Sequence, residues 1–300
     1  MFKPSYLSLA KKEFEKRIET FFKILENCQI CPRNCQVNRV KGEKGFCGLR
    51  YLPKVSAFHP HFGEEKVLVG KHGSGTIFFT SCNLNCLYCQ NYEISQLGAG
   101  EEVSFNRLAE MMIELQKIGC HNINLVTPTC QVPQIVKALI LAKNKGLKIP
   151  LVYNTNTYDS VKTLKLLDGI IDIYMPDFKY SDDKIAQKYS NAPGYFEIAK
   201  KAIKEMHRQV GDLVVDEKGI AQRGLLVRHL ILPNNLAGSE KIFQFLARGI
   251  SKNTFLNIMD QYWPAYQAQR YPELSRPISQ EEYFRAINLA KKFGLGSIYH

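Results

Sequence analysis

The chain has 300 residues, 45% of them hydrophobic, with nine cysteines and a formal net charge of +12 at pH 7. That content builds one large domain, or a domain with an extension, and excludes a disordered chain; no apolar run has the length of a membrane span and no secretion signal opens the sequence, so the expected location is cytoplasmic with no membrane partner. Seven of the nine cysteines fall into two tight groups with metal-ligand spacing, in a chain far longer than a secreted disulfide scaffold, which points to a reducing compartment.

The positive charge attracts acidic partners in general. Lys and Arg are scattered through helical stretches such as Lys11, Lys12, Lys16 and Arg17, and form no basic block interleaved with aromatics. A solvated basic surface is therefore expected over a dedicated nucleic-acid groove.

In chain order, residues 5 to 26 read as an amphipathic helix whose apolar stripe (Phe14, Ile18, Phe21, Phe22, Leu25) is expected to pack on the flank of the main domain. Cys28, Cys31, Cys35 and Cys47 follow with the spacing C-x2-C-x3-C-x11-C, and Pro32, Gly42 and Gly45 let the backbone turn around them. Four thiolates suit a closed site, either zinc or a fully ligated iron–sulfur cluster, and the spacing leaves both open. His59, His61, Glu64 and Glu65 are potential ligands by type, but are read as structural or cavity-rim residues because both cysteine groups already supply thiolates. Gly73-Ser74-Gly75 reads as a tight turn, since a phosphate loop would continue into Lys-Ser/Thr and a helix. Residues 1–70 thus form a helix plus a four-cysteine extension, and residues 71–300 the main domain.

From Thr76 onward β-rich runs alternate with helical ones. Strands are predicted at 76–81, 122–128, 150–156, 170–178, 225–232 and 254–262, and helices at 105–118, 132–145, 160–167, 195–209, 240–249 and 280–293. Ser279 and Glu282 have the spacing of a capping box for the last helix, which stops at Gly294. Six successive β-α units predict an α/β fold with a parallel sheet, too short for an eight-stranded barrel and matching a partial (β/α)6 barrel with chemistry at the C-terminal strand ends.

The first of these strands runs into Cys82, Cys86 and Cys89, spaced C-x3-C-x2-C with Tyr88 before the third cysteine. A [4Fe-4S] cluster takes one thiolate per iron, so three thiolates leave one iron open to a small molecule. A zinc knuckle short of its fourth ligand and plain packed cysteines are the alternatives.

This spacing resembles the signature of the radical S-adenosylmethionine (SAM) enzymes. Further runs, including Cys31-Pro32-Arg33-Asn34-Cys35, Gly42-Glu43-Lys44-Gly45-Phe46-Cys47, Pro60-His61-Phe62-Gly63-Glu64-Glu65, Cys89-Gln90-Asn91-Tyr92, Met175-Pro176-Asp177-Phe178-Lys179 and Met259-Asp260-Gln261-Tyr262, resemble homologues of pyruvate formate-lyase-activating enzyme. The resemblance implies a partial barrel, a [4Fe-4S] cluster on Cys82, Cys86 and Cys89, SAM, and a reduced electron donor such as flavodoxin or ferredoxin. It also implies reductive cleavage of SAM to a 5'-deoxyadenosyl radical, with a glycyl-radical protein as the implied partner. Thr127-Pro128-Thr129-Cys130 stands where many such enzymes carry Gly-Gly-Glu against the SAM amine, Asn154 stands in place of an aspartate, and Asp177 and Lys179 match Asp-Leu-Lys, whose lysine pairs with the SAM carboxylate. Cys130 is read as pocket-lining or as a buried loop cysteine. Of Arg228 and His229, which alternate faces, one is expected to point inward, and His229 is carried as a candidate SAM contact. The other readings are radical SAM modification of RNA or a small metabolite, and a noncatalytic iron–sulfur carrier or adaptor.

Overall fold

The computed structural model describes residues 2–296 and the backbone of Ile298 and Tyr299. Its elements are α1 (Lys11–Glu26), β1 (Lys54–His61), α2 (Lys66–Val69), β2 (Ser74–Phe79), α3 (Tyr92–Ser95), β3 (Glu101–Glu102), α4 (Phe105–Ile118), β4 (Ile123–Val126), α5 (Val132–Asn144) and β5 (Leu151–Thr155). They continue with α6 (Val161–Leu166), β6 (Ile173–Pro176), α7 (Asp183–Ser190), α8 (Tyr195–Val210), β7 (Val214–Val215), β8 (Ala221–Leu230), α9 (Ser239–Gly249), β9 (Phe255–Met259), α10 (Gln280–Lys292) and β10 (Ile298–Tyr299).

The sheet runs in the order β10-β9-β8-β6-β5-β4-β2-β1-β3, with β7 paired to β8. All six predicted strands are present as β2, β4, β5, β6, β8 and β9, and every neighbouring pair among them is parallel. The fold is thus mixed α/β around a parallel core. Every residue of β5 and β6 is buried, as expected of parallel strands covered on both faces.

The sheet is larger than the sequence pattern indicated. β1, read from its Pro and His content as a connection, pairs antiparallel with β2 from Val55 opposite Phe79 to His61 opposite Ser74. β3 covers only Lys54 and Val55, so Pro60 lies on an uncovered edge, which tolerates a residue without an N–H. The division at residue 70 falls between these two paired strands.

The helix expected over residues 5–26 is shorter. Ser5–Leu7 is a separate 3-10 turn and α1 starts at Lys11. The break has a cause: buried Asp172 accepts the N–H groups of Ser5 (2.7 Å) and Leu151 (3.0 Å), and Tyr6 Oη donates to Ile149 O (3.0 Å), fastening this turn at the start of β5. Beyond it α1 packs on α5, burying Phe14, Phe21 and Leu25 as the stripe predicts.

Caps set several other boundaries. Ser279 and Glu282 form the predicted capping box, and Asp182 caps α7 by accepting from Lys184 N and Ile185 N. This short helix escaped the sequence reading because its apolar stripe is brief, yet its last turn holds the cysteine loop.

Gly224 is held tightly against neighbouring backbone. Its φ is +126°, and a Cβ there would lie 2.4 Å from both Asp212 O and Leu213 Cα, in the strap that crosses β8. Gly219 also has positive φ (+78°) but open space around it. Gly224→Ala is expected to lower the unfolding free energy by about 2–4 kcal/mol, combining backbone strain with overpacking, and Gly219→Ala by about 1 kcal/mol from strain alone. Urea denaturation of the two variants separates these contributions.

Candidate active site

The cysteine loop begins where β2 ends. Ser81 adopts a positive φ of 81°, turning the chain out of the sheet, and its N–H donates to Ile94 O (3.0 Å). The end of α7 holds the rest: Asn85 N donates to Ser190 O (3.0 Å) and Leu87 N to Tyr189 O (2.8 Å). Buried Asn83 donates to Tyr158 O (2.6 Å) and accepts from Asn156 Nδ2 (2.8 Å). The loop is irregular in φ/ψ but tied on all sides.

Each sulfur in this loop has a polar neighbour. Cys82 Sγ accepts from Leu84 N (3.3 Å) and Asn156 Nδ2 (3.1 Å), Cys86 Sγ from Ser190 Oγ (3.0 Å), and Cys89 Sγ lies 3.1 Å from Ser95 Oγ. Tyr88, Tyr180 and Ser190 form a chain of hydroxyls ending on Cys86. Burial, then the charges of Cys86 and Cys89, push the Cys82 thiol up to about 12. Burial likewise raises Cys86 to about 11, although the Lys179 ammonium opposes it. Thiols that press on one another and are costly to ionise alone are matched by a positive metal centre, whose binding expels their protons. Among the described residues no group of three or more His, Cys, Asp or Glu side chains is arranged to hold one metal ion. Three thiolates, one per iron, are the donor set of a [4Fe-4S] cluster that keeps one iron open.

Beside the loop lies a cleft of about 340 Å³, lined by Cys86, Tyr88, Cys89 and the C-terminal ends of the strands. Alternation decides which side chains enter it. Asn154 from β5, Asp177 and Lys179 beyond β6, and Arg228 from β8 all line the cleft. Arg228 donates to Asp177 Oδ1 (2.7 Å), Glu64 Oε2 (3.0 Å) and Asn154 Oδ1 (2.9 Å), and Lys179 Nζ donates to Asp177 Oδ2 (3.0 Å). Burial works against charge on Asp177, but Arg228 and Lys179 outweigh it and hold the carboxyl below its ordinary value. Lys179 is held above its ordinary value by Asp177 and Cys86 in spite of burial. Burial raises Glu64, with Arg228 opposing.

His229 is not in this cleft. It is fully buried on the opposite face of β8, with Nδ1 2.7 Å from Phe178 O and Nε2 2.9 Å from Ser239 Oγ, so the geometry corrects the sequence expectation: Arg228 is the inward residue. Thr127 adjoins the cleft through its backbone, with φ +59° and its N–H donating to Asn154 O (2.9 Å). The turn after it rests on buried Asp159, which accepts from Thr129 (2.9 Å), Thr155 (2.6 Å) and Tyr153 (2.9 Å). Sequence reasoning missed Asp159, Ser190 and the role of Glu64, which was placed at the rim and is an ion-pair partner of Arg228. Asp182 and Asn191, a cap and a left-handed terminator around α7, were the signal for Ser190.

The four-cysteine extension is docked on the barrel. Arg33 Nε donates to Asn83 O (2.7 Å) with its guanidinium stacked on Phe46 (3.7 Å), Thr163 Oγ1 donates to Ile30 O (2.6 Å), and Ser81 Oγ donates to Cys47 O. Cys28, Cys31, Cys35 and Cys47 share one pocket, and Cys130 joins them there rather than lining the cleft.

The family model of the radical SAM superfamily matches residues 76–217. One uncharacterized protein of Methanocaldococcus jannaschii is 36% identical over 307 residues, covering 99% of this chain and 82% of that protein. A second protein of the same organism, also uncharacterized, is 26% identical over 294 residues, covering 91% and 80%. Among solved structures, a maturase of the [FeFe]-hydrogenase superposes with a TM-score of 0.50 at 12% identity, covering 73% of this chain and 48% of that one. Methylornithine synthase superposes with a TM-score of 0.49 at 14% identity, covering 97% and 72%.

Burial lowers His229 from 6.5 to about 4. A folded-state value below the unfolded one means that the contribution to stability is complete above pH 6.5 and is lost as pH falls through about 4. The wild type is expected to lose up to about 3 kcal/mol from this group on acidification, and His229→Gln to flatten that limb of a stability curve measured between pH 7 and 4.

Proposed function

The chain belongs to the radical SAM superfamily, and we propose that it cleaves SAM reductively to abstract hydrogen from a glycine of a protein partner. The observation that carries this reading is the placement of Lys179 and Arg228, held by Asp177 and Glu64, in the same cleft as Cys86 and Cys89. When bound, the [4Fe-4S] cluster on Cys82, Cys86 and Cys89 supplies the electron that splits the sulfonium into methionine and a 5'-deoxyadenosyl radical. Lys179 offers a cation to the SAM carboxylate, and Asn154 and the backbone beside Thr127 offer polar groups to its amino acid end.

Tyr88, Tyr180 and Ser190 keep Cys86 in place from behind, so the sulfur's hydrogen bond does not depend on solvent. The glycyl-radical partner is supported by the motif runs around Cys89, Asp177 and Asp260, and the electron donor would be a reduced flavodoxin or ferredoxin. No helix of the described residues is long and apolar enough to cross a membrane.

The anaerobically reconstituted, reduced protein is expected to form 5'-deoxyadenosine from SAM, and Cys86→Ala to form none. Lys179→Met is expected to raise the SAM concentration required by about tenfold or more, the loss of one charge-assisted hydrogen bond. Wild-type protein with a full complement of iron and no product would overturn the reading. A glycyl-radical doublet in the electron paramagnetic resonance spectrum of a mixed-in glycyl-radical protein tests the partner; a nucleoside or free-metabolite product with no doublet would replace it.

A further inference from the structure

Arg39 is fully buried, and none of its partners carries a charge. Nη1 donates to Cys130 O (2.8 Å), and Nε and Nη2 donate to Arg50 O (3.3 and 3.0 Å). Among the described residues no carboxylate forms an ion pair with it. A guanidinium stays protonated in a protein, and carbonyl oxygens solvate a cation without neutralising it, so an isolated buried Arg is costly. The pocket that Arg39 lines holds no carboxylate and five cysteines, Cys28, Cys31, Cys35, Cys47 and Cys130, with a second cation, Arg33, which is stacked on Phe46 and hydrogen-bonded to Asn83 O.

Cys130 does not belong to the extension. It follows β4 in the 3-10 turn before α5, is 1% exposed, and lines the same small pocket as Cys31 and Cys47, close enough for the three thiols to influence one another. The barrel thus delivers a fifth thiol to a pocket whose other four come from 28–47.

We infer that this pocket holds an anionic thiolate–metal centre to which the barrel contributes Cys130 as a ligand beside Cys31 and Cys47, with Arg39 as its buried counter-cation. Each metal–sulfur bond forms as a thiol proton leaves to solvent. Four thiolates around a zinc ion, or around an oxidised [4Fe-4S] core, leave on the order of two negative charges, which is what Arg39 lacks. The centre also ties residues 28–47 to the barrel, adding to the side-chain hydrogen bonds of Arg33, Arg39, Ser81 and Thr163 across the same contact.

The test uses the full chain carrying Cys82→Ala, Cys86→Ala and Cys89→Ala, so that any remaining metal reports this pocket whatever becomes of SAM cleavage. Anaerobically purified, it is expected to retain either iron with matching acid-labile sulfide or zinc. Adding Cys130→Ser is expected to weaken retention by about tenfold or more, as Cys31→Ser does, whereas Cys120→Ser, a buried cysteine outside the pocket, leaves it unchanged. No metal in the parent, or undiminished metal in a Cys130→Ser variant with native circular dichroism, overturns the inference. Arg39→Met supplies a measurement that does not depend on Cys130→Ser folding: stripping metal with a chelator should lower the melting temperature of the parent more than that of Arg39→Met, with Arg39→Lys behaving like the parent. Equal shifts in all three would equally overturn it.

Discussion

Parallel pairing places three strand ends level, and the Arg228–Asp177 ion pair locks them there. Asp177 bridges to Arg228 directly in the sheet, Phe178 N donates to Arg228 O (2.8 Å), and Asp177 N donates to Thr155 O (2.8 Å). With that backbone frame set, the 2.7 Å side-chain contact between Arg228 and Asp177 leaves Arg228 two further donors, which reach Glu64 and Asn154. One guanidinium therefore gathers residues from β5, from the end of β6 and from the loop after β1. Burying these charges is tolerable only because they are mutually paired; alone, each carboxylate would be driven toward its neutral form and the guanidinium would be a costly isolated cation.

The cysteine loop depends on this frame from the other side. Asn156, two residues past Asn154, reaches Cys82 Sγ and Asn83, and Tyr195 Oη bridges Asn156 O and Asp177 O at 2.9 Å each. Lys179 N accepts no freedom either, since it donates to the same Tyr195 hydroxyl (3.0 Å). The strand ends that hold the charged cleft thus also position the sulfurs, without a single regular element inside the loop. Backbone satisfaction supplied by α7 replaces secondary structure there.

The parallel core was legible because β-rich runs alternate with helical ones, the latter marked by stripes such as Phe105, Leu108, Met112 and Leu115. β1 was not, since Pro60 and two histidines mask a strand whose only demand is an edge position. In the site, Cys82, Cys86 and Cys89 declare themselves by spacing, and Asp177 and Lys179 by sharing a strand face. The choice between Arg228 and His229 was invisible in sequence: adjacent residues on a strand are equivalent until the phase of the strand is known, and that phase is set by the register of β8 on β9, where Arg228 faces Asn257 and His229 faces Ile258. The place of Cys130 was hidden for a related reason, because the cysteines it joins, Cys28 to Cys47, lie far away in sequence.

The charge balance of the cleft bears on how a zwitterion would enter it. Glu64 and Asp177 offset Arg228 and Lys179, so the cleft is close to neutral while presenting both signs. Arg228 is committed to three partners, but Lys179 holds only Asp177, through a side chain two residues away on the same strand end. On the proposed reading, an incoming carboxylate does not create a new buried ion pair; it shares Lys179 with an Asp177 that keeps Arg228. Desolvating the lysine is then a cost already met in folding, and what remains at binding is the exchange of one carboxylate contact for another. That is the economy expected of a site that must bind a charged amino acid group next to thiolates without stranding either charge.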